Sequence, residues 1–270
     1  MSGRLTVVIL TLNEARHLPR CLDHVPEGYP IVVVDSGSTD GTLDIARARG
    51  ARVFVNPWPG FAAQRNFALE ACGIDTEWTL FIDADELFPS AFYEWFERWA
   101  AAPESAGCDA GMVASILVFK GVRLRHAPGY PIYHPRLART AKARFFVNHT
   151  RFGESVAEGT PVIHIDIPYD HHFYDGDLVS WMHKHVHWAS LEANPVWNAG
   201  AAITVRSRVS VALGRTWLRI PLRFIYHYFL KQGFRDGRAG FEYALIYTWF
   251  EATKYVVDRA GDLRAYPPRQ

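Results

Sequence analysis

The chain has 270 residues, of which 49% are hydrophobic and 14% aromatic, and its 29 basic and 28 acidic side chains give a formal net charge of +1. This balance excludes a molecule that binds a polyanion over its whole surface, and the length allows one large domain or one domain with an appendage. Three widely spaced cysteines without a C-x-x-C pair exclude a disulfide framework and a cysteine zinc motif, and they fit a reducing compartment.

Residues 1–4 lead directly into a strand pattern, without the apolar core and the small-residue cleavage site of a signal peptide. No uncharged apolar run reaches the roughly 18 residues that a membrane-spanning helix needs. The sequence therefore predicts a cytoplasmic location and no transmembrane helix.

Apolar runs and helical periodicities alternate through the first 82 residues. Strands are predicted at residues 5–12, 31–34, 52–55 and 78–82, and helices at residues 14–22, from the turn 36–41 to residue 49, and at 61–72. Strands and helices in this order, with short connections, are typical of a mainly parallel sheet covered by helices on both faces. The predicted fold class is α/β.

The pattern changes after residue 110. Two further strands are predicted at 112–119 and 145–147, around a loop rich in glycine, proline and aromatic residues at 128–133, and the chain is helical from 177 onward with breaks near 194–195 and at Pro221. The predicted boundaries are a domain at 1–200, divided at about residue 110, and a helical C-terminal region at 201–270.

Three carboxylates follow the fourth predicted strand within four positions: Asp83, Asp85 and Glu86. Acids are excluded from a buried strand unless they are paired or hold a metal, and open α/β sheets bind ligands at the carboxyl ends of their strands. The oxygen ligands of an Asp-x-Asp pair suit Mg²⁺ or Mn²⁺ bound to a substrate diphosphate. The alternative is that Asp85 and Glu86 only cap the helix that follows.

Polar clusters also follow the first two strands, at residues 11–14 and 35–42. Because the carboxyl ends of parallel strands share one edge of a sheet, these clusters and the acids predict a nucleotide site. An ordinary capped turn would explain Ser38 and Asp40 but not Asp35, which ends an apolar strand and needs a partner. The absence of G-x-G-x-x-G and of G-x-x-x-x-G-K-[ST] disfavours a dinucleotide-binding dehydrogenase and a P-loop NTPase.

Four ordered blocks of the sequence carry a family resemblance. They are residues 7–14 (VVILTLNE), 33–42 (VVDSGSTDGT), 60–68 (GFAAQRNFA) and 83–86 (DADE), and the later segment 233–241 (GFRDGRAGF) extends the match. The chain resembles the family 2 glycosyltransferases of the GT-A fold, and more narrowly the bacterial lipopolysaccharide-core β-glucosyltransferase-like branch. Several blocks in order are far more specific than a single motif.

The resemblance implies a donor site for a nucleotide sugar, usually a UDP-sugar, in the half of the domain before residue 110. The residues that it assigns to this site are Thr11, Asn13, Glu14, Asp35 and Ser36 on the base and ribose side, and Gln64, Asn66 and Asp83 near the ribose or donor sugar. It assigns Asp85 to the metal, Mg²⁺ or Mn²⁺, whose shell diphosphate oxygens and waters would complete. Gln64 and Asn66 could instead be solvent-facing helix residues.

His172, in the segment 169–174 (YDHHFY), matches a histidine that precedes an aromatic residue in the same branch. The resemblance implies a further ligand of the metal or the phosphates, and a core histidine bonded to the backbone is the alternative. A second group, His183, His185 and His187, has no acidic or thiol partner in the sequence nearby, and only its first and last members would share a helix face. That group predicts a solvated or acceptor-side face rather than a zinc site.

Inverting sugar transfer needs a base that takes the proton of the acceptor hydroxyl as the anomeric bond breaks. In the branch that the chain resembles, a His-Glu pair after an aromatic-rich strand has this role, and the aligned residues here are Gly153 and Glu154. Glu154 is therefore the predicted base, although the histidine is replaced. Two alternatives stay open: His149 could be the base, and Glu154 could be only an ion-pair partner of Arg151.

Basic and aromatic side chains dominate residues 203–260. The basic ones are Arg206, Arg208, Arg215, Arg219, Arg223, Lys231, Arg235, Arg238, Lys254 and Arg259, and the acidic ones are Asp236, Glu242, Glu251 and Asp258. Amphipathic helices of this composition lie in the interface of anionic membranes, so peripheral attachment to the inner membrane is predicted. The alternative is that these helices pack on the sheet; a nucleic-acid patch has no support elsewhere in the sequence.

The residues and the resemblance together predict a metal-dependent, inverting glycosyltransferase that moves a hexose from a nucleotide sugar to a lipopolysaccharide-core or lipid-linked glycan acceptor. One rival is a sugar nucleotidyltransferase, which uses a similar sheet but needs an early glycine-rich basic loop that the sequence lacks. Another is a non-catalytic membrane adaptor on the same fold, against which the three acids Asp83, Asp85 and Glu154 argue.

Overall fold

The computed structural model describes residues 3–148, 153–174, 176–192 and 216–260. Packing divides them into two compact units. Unit 1 takes the described residues within Met1–Ile116, Pro131–Val147 and Phe152–His172, and unit 2 takes those within Leu117–Tyr130, Asn148–Arg151 and Phe173–Gln270.

Eleven strands and seven α-helices are named in chain order within the described residues. The strands are β1 (Leu5–Thr11), β2 (Ile31–Asp35), β3 (Arg52–Val55), β4 (Trp78–Asp83), β5 (Glu86–Leu87), β6 (Ala110–Phe119), β7 (Val122–Leu124), β8 (Ile132–Arg139), β9 (Phe145–Asn148), β10 (Gly153–Val156) and β11 (Val162–Tyr174). The helices are α1 (Leu18–Asp23), α2 (Thr42–Ala48), α3 (Phe61–Ala71), α4 (Ser90–Ala100), α5 (Leu178–Glu192), α6 (Arg219–Ile225) and α7 (Gly237–Ala260), with a π-helix at Tyr226–Leu230 and 3-10 helices at Pro103–Gly107 and Gly233–Asp236.

A large sheet organises unit 1. Its strand order is β3-β2-β1-β4-β8-β6-β11-β5, and the first four strands are parallel neighbours. Alternate residues of β1 enter two different cores: Leu5, Val7 and Ile9 pack on one face, and Val8 and Leu10 on the other. A strand that is buried on both faces needs apolar side chains at successive positions, which explains the continuous apolar run. The predicted α/β sheet with both faces covered is confirmed.

Antiparallel strands extend the sheet beyond β4. Strand β8 runs antiparallel to β4, with Trp78 opposite Arg139, and β6 runs antiparallel to β8. The short β5 follows the first two acids directly and pairs with β11, where His171 lies opposite Glu86. The chain therefore returns to the sheet after the acidic triplet, and α4 begins only at Ser90. The alternative in which Glu86 caps the next helix is wrong, because Glu86 is a strand residue.

Two helices differ from the predicted pattern in an informative way. Helix α1 begins at Leu18, four residues after the predicted start, because Asn13 adopts a left-handed φ of 56° and Pro19 occupies the first turn. Pro221 lies in the first turn of α6 and does not break it, since an N–H group at that position has no partner within the helix. The predicted break near residues 194–195 lies outside the described residues.

Unit 2 joins α5, α6 and α7 to β7 and to the end of β6. Its core contains Leu117, Phe119, Leu124, Ala127, Ala239 and Tyr243. The carboxylate of Asp236 fixes a neighbouring loop, because it accepts hydrogen bonds from the backbone N–H groups of Arg125, His126 and Ala127 at 3.1, 2.9 and 2.8 Å. Helix α5 therefore belongs to this unit by packing, whereas the sequence placed it before residue 200. The functional boundary at residue 200 stays a prediction.

A buried ion cluster connects α6 and α7. Glu251 of α7 is 2% exposed, and its carboxylate forms ion pairs with Arg219 and Arg223 of α6 and, at 3.1 Å, with Lys254. Burial opposes the negative charge, but Lys254, Arg223 and Arg219 lower the pKa of Glu251 from 4.5 to about 2. Because the folded pKa is depressed, the cluster stabilises unit 2 fully above pH 4.5 and loses this effect as the pH falls toward 2.

We expect Glu251→Gln to lower the free energy of unfolding at pH 7 by about 3 kcal/mol, because three cations would lose their shared carboxylate. The variant should also lose less stability than the parent protein between pH 5 and pH 3. Urea denaturation at both pH values measures these differences. Glu242→Gln is the matched control on the same helix: its pairs with Lys120 and Arg238 are surface pairs, worth at most about 1 kcal/mol. Equal effects of the two substitutions would contradict the prediction.

Candidate active site

The three predicted polar clusters lie at one edge of the sheet. In the register of the parallel strands, Thr11 at the end of β1 lies opposite Asp35 at the end of β2. On the other side of β1, Leu10 lies opposite Asp83 at the end of β4. The strand order turns at β1, which β2 and β3 flank on one side and β4 on the other, and ligands bind outside such a turning point in open α/β sheets.

Asp35 organises the turn after β2. It is fully buried, and its Oδ1 accepts hydrogen bonds from the backbone N–H groups of Gly37 and Ser38 at 2.8 and 2.7 Å. Its Oδ2 accepts hydrogen bonds from the hydroxyl of Thr11 at 2.8 Å and from the hydroxyl of Ser38 at 2.5 Å. These contacts supply the partners that an acid at the end of an apolar strand requires. Asp35 and Thr11 therefore hold the shape of the edge, and their contact with a nucleotide stays a prediction.

Asn13 and Glu14 join the turn after β1 to the turn after β2. The side-chain oxygen of Asn13 accepts a hydrogen bond from the backbone N–H of Thr39 at 2.8 Å. The backbone N–H of Asn13 donates to the Ser38 hydroxyl at 2.7 Å. The backbone N–H of Glu14 donates to the hydroxyl of Thr42 at 2.8 Å. This double connection fixes two loops of the predicted nucleotide site relative to each other.

Gln64 reaches the same edge from helix α3. Its side chain is fully buried, so the alternative of a solvent-facing residue is wrong. The amide donates hydrogen bonds to the Ser36 hydroxyl and to the backbone oxygen of Asn56, both at 3.1 Å, and accepts one from the Asn56 side chain at 2.7 Å. Gln64 thus connects the loops after β2 and β3, and it brings Ser36 into the same network.

Asn66 faces another strand. Its side-chain amide donates a hydrogen bond to the backbone oxygen of Phe145 and accepts one from the backbone N–H of the same residue, each at 2.9 Å. Both groups of the amide are therefore used by β9. The predicted contact of Asn66 with the ribose or donor sugar stays a prediction, and the structure gives this side chain a definite role as a brace between α3 and β9.

Two arginines hold Asp83. Arg65 of α3 donates to its Oδ1 at 3.2 Å, and Arg136 of β8 donates to its Oδ2 at 3.0 Å. Arg136 also forms two hydrogen bonds with Glu86, at 2.9 and 2.7 Å. Both arginines and Glu86 are buried, and only the Asp83 side chain is partly exposed. The orientation of Asp83 at the carboxyl end of β4 is thereby fixed, with each carboxylate oxygen facing a guanidinium group.

Neither arginine was predicted from the sequence as a partner of Asp83. Arg136 lies among buried residues of β8 and is itself 3% exposed, and a guanidinium is not buried without an anionic partner. Burial raises the pKa of Glu86, and the neighbouring Asp83 adds to this, whereas Arg136 acts in the opposite direction. The bidentate contact with Arg136 is therefore what keeps this acid in the interior.

Asp85 lies beside two histidines of β11. Its carboxylate is 3.5 Å from the Nε2 atom of His171, and its backbone oxygen accepts a hydrogen bond from the N–H of His172 at 2.8 Å. Burial opposes a charge on His171, but Asp85, Glu86 and Asp83 together raise its pKa. Burial lowers the pKa of His172, and Arg20, whose guanidinium is 3.5 Å from Nδ1, adds to the effect. The lowered pKa favours the neutral form of the His172 ring. Because a guanidinium can only donate, Nδ1 is the acceptor in the contact with Arg20.

The donor groups around Asp85 fit a metal that takes most of its ligands from a substrate. The Asp85 side chain is 22% exposed, and the buried Nε2 atom of His172 has no hydrogen-bond partner among the described residues. No group of three or more potential ligands is assembled in the described part of the chain. Mg²⁺ commonly binds through one or two carboxylates and the phosphates of a substrate, and this arrangement matches that mode rather than an all-protein cage.

The predicted base lies on a strand of a small two-stranded sheet. Strands β9 and β10 form a two-stranded sheet, and Glu154 is the second residue of β10. The structure does not describe the side chain of Glu154. His149, the alternative base, and Arg151, the alternative ion-pair partner of Glu154, lie outside the described residues. The role of Glu154 therefore stays a prediction. The hydrogen bonds between Asn66 and Phe145 connect α3 to β9 within unit 1.

The family profile described as Glycosyl transferase family 2 matches residues 6–154 of the chain. Among curated proteins, the chain is 38% identical over 109 residues to the lipopolysaccharide core biosynthesis glycosyltransferase LpsC of Rhizobium meliloti, a match of 38% of this chain and 40% of that protein. It is 41% identical over 87 residues to an uncharacterized glycosyltransferase of Rickettsia bellii, covering 32% and 29% of the two chains. The chain thus spans two fifths or less of the lengths of these relatives.

Among solved structures, the chain is similar to the mannosyltransferase PcManGT from Pyrobaculum calidifontis in complex with GDP-Man and Mn²⁺. The likeness covers 98% of this chain and 88% of that chain, with a TM-score of 0.54 and 18% sequence identity. At this identity the likeness shows the fold alone. It confirms the predicted GT-A fold class.

Proposed function

Because this chain belongs to glycosyl transferase family 2, we propose that it is an inverting, metal-dependent glycosyltransferase that moves a hexose from a nucleotide sugar to a lipopolysaccharide-core or lipid-linked glycan acceptor. The observation that carries the proposal is the Asp-x-Asp pair at the carboxyl end of β4, where Asp83 is held by two arginines and Asp85 is accessible. A strand end of this kind at the turning point of the sheet is suited to a diphosphate with its metal.

Two similarities support the donor and acceptor classes. The relative LpsC is named as a lipopolysaccharide core biosynthesis glycosyltransferase, which supports an acceptor of that kind. The structural neighbour PcManGT binds GDP-Man with Mn²⁺, which supports a nucleotide sugar and a divalent metal. We propose a UDP-sugar as the donor, and a GDP-sugar is the alternative that the neighbour raises.

Each residue of the edge has a distinct part in the proposed reaction. Asp85 would hold the Mg²⁺ or Mn²⁺ ion, with His172 as a further ligand. When bound, the ion would supply positive charge to the leaving diphosphate, which is an electrostatic form of catalysis. Asp83, fixed by Arg65 and Arg136, would orient a hydroxyl of the ribose or the sugar. Glu154 would take the proton of the acceptor hydroxyl as that oxygen attacks the anomeric carbon from the side opposite the diphosphate.

The proposed place of the reaction is the cytoplasmic face of the inner membrane, with the protein attached peripherally. None of the helices that the structure describes combines the length and the apolar composition needed to cross a bilayer. A lipid-linked acceptor lies at such a surface, and the basic, aromatic helices of unit 2 are suited to it.

A thermal-shift screen tests the proposed function. We expect one of the UDP-, GDP- or dTDP-sugars, at about 100 times its Kd and with Mn²⁺ or Mg²⁺ present, to raise the Tm by roughly 5 °C or more, since such binding adds about 2.7 kcal/mol. EDTA should cancel most of the shift. The same sugar nucleotide should then be consumed in the presence of acceptor glycolipid.

Two outcomes of this screen would contradict the proposal. Formation of a sugar nucleotide from a sugar phosphate and a nucleoside triphosphate would identify a nucleotidyltransferase. No shift with any sugar nucleotide, together with no donor hydrolysis or transfer in Mn²⁺, would favour a non-catalytic adaptor.

A further inference from the structure

Helix α6 and the π-helix that continues it carry an apolar stripe on their outer side. This stripe, which we call the outer stripe, consists of four residues. They are Leu218, Leu222, Ile225 and Phe229, which are 44%, 41%, 44% and 55% exposed. Their spacing of three or four positions places them on one face of a helix. An exposed stripe of this kind is unusual for a surface helix, whose apolar residues ordinarily face the core.

The polar side of the same helix faces inward. Arg219 and Arg223 are spaced four residues apart and form ion pairs with Glu251, which is buried on α7. No residue of α6 is itself buried. Helix α6 is therefore held to α7 by these ion pairs together with ring contacts such as that of Phe224 with Phe241, while its outer stripe is exposed. This amphipathic arrangement is inverted with respect to that of an ordinary globular helix.

Further exposed apolar side chains lie next to the outer stripe in the chain. Trp217 precedes it and Leu230 and Phe234 follow it, and all three are at least half exposed. Aromatic contacts connect this region to α7. The ring centroids of Phe224 and Tyr228 lie 5.8 and 5.6 Å from that of Phe241, which is also exposed. More than half of the exposed large apolar residues in the described part of the chain fall within 216–260. Such a concentration marks an interaction surface.

The charges around the outer stripe are positive. Arg235 and Arg238 are exposed at the start of the next helical segment, where Arg238 also forms a surface pair with Glu242 at 2.7 Å, and Lys231 follows the π-helix directly. Of the carboxylates in 216–260 whose side chains the structure describes, Asp236, Glu242 and Glu251 are all engaged in hydrogen bonds or ion pairs within unit 2. Exposed apolar residues with basic neighbours complement an anionic lipid surface, into which the apolar groups insert while the cations meet the headgroups.

We propose that the outer stripe inserts into the interface of an anionic lipid bilayer and that Lys231, Arg235 and Arg238 contact its headgroups. The inference identifies the lipid-binding face within the peripheral attachment proposed above, and it can be tested without any transfer reaction. It also corrects the expectation that the C-terminal arginines in general face the membrane, because Arg219 and Arg223 serve the buried Glu251 instead. Arg215 lies outside the described residues.

The test measures binding of the purified full chain to sedimented vesicles of phosphatidylcholine, with and without 30 mol% phosphatidylglycerol (about one anionic lipid in three). We expect binding to the anionic vesicles to be stronger and to weaken as salt is raised above 0.1 M, where the Debye length is about 10 Å. Leu222→Gln with Ile225→Gln should weaken this binding at least tenfold. Arg235→Gln with Arg238→Gln should remove the preference for anionic vesicles.

The matched control is Val122→Gln with Val162→Gln, which replaces apolar residues of similar exposure, 44% and 39%, outside helix α6. This control should bind vesicles like the parent protein, and all variants should keep the parent's Tm. Equal loss of binding in the control, no preference for anionic vesicles, or no binding at all would overturn the proposal. A dimer in solution that Leu222→Gln with Ile225→Gln dissociates would assign the stripe to a second copy of the chain. A protein that binds vesicles but no sugar nucleotide would fail the proposed function and leave this inference intact.

Discussion

Replacing Asp85 by alanine should lower the turnover of sugar transfer about 10³-fold while leaving the protein folded. The carboxylate is partly exposed at the end of β4 and is the acid of the triplet that lies beside the histidines rather than between the arginines. Asp85 would hold the metal ion that stabilises the negative charge developing on the leaving diphosphate. Loss of such electrostatic stabilisation commonly lowers kcat by about two to three orders of magnitude. Metal-dependent stabilisation of the protein by the donor should disappear in the same variant, which a thermal-shift titration with Mn²⁺ measures.

Asp44→Ala is the matched control for this substitution. Asp44 lies on α2, its side chain is 89% exposed, and within the part of the chain that the structure describes it forms a surface pair with Arg47 at 3.5 Å. The control should keep the parent's turnover and its response to Mn²⁺. If Asp85→Ala transferred sugar at nearly the parent rate with metal present, Asp85 would not be the metal ligand.

Glu154→Gln should lower turnover by about two orders of magnitude or more, the usual scale for removal of a general base. The affinity for the nucleotide sugar should change little, because the group would act on the acceptor. Steady-state kinetics with donor and acceptor varied separately, together with direct measurement of donor binding, distinguish these effects.

Glu158→Gln, four residues further along, is the matched control, since Glu158 is an exposed residue in the turn after β10. It should be as active as the parent protein. A normal rate for Glu154→Gln together with an inactive His149→Ala would transfer the role of base to His149. Normal rates for both would remove the base from this segment of the chain.

The first half of the fold could be predicted because its signals are local. Continuous apolar runs fixed the positions of β1 to β4 to within a residue or two, and the turns between them contain the glycine, serine and aspartate that such turns require. The start of α1 could not be predicted, since it depends on the left-handed conformation of Asn13, which Ser38 and Thr39 stabilise from the next turn. That contact joins residues about 25 positions apart, beyond the reach of a periodicity.

The candidate site was predicted unevenly for the same reason. The acids at the end of β4 stand out in the sequence because they interrupt an apolar run. The partners of Asp83 do not, because Arg65 and Arg136 come from α3 and β8 and meet only in the folded chain. Adjacent histidines on a strand point to opposite sides, so the sequence could not tell which of His171 and His172 would approach the carboxylate of Asp85. The structure places the ring of His171 there.

The brace between α3 and β9 has a consequence for solubility and for substitution at position 66. Among the residues that the structure describes, β9 pairs with β10 alone, so the backbone groups on its outer side would be open to pairing with another chain. The Asn66 amide occupies the N–H and the oxygen of Phe145 on that side, in the way that a neighbouring peptide group would. Aspartate lacks the donor and leucine lacks both groups. Either substitution would therefore leave a backbone group of Phe145 unpaired at the edge of β9. An unpaired edge favours association of chains, whether or not Asn66 contacts the sugar.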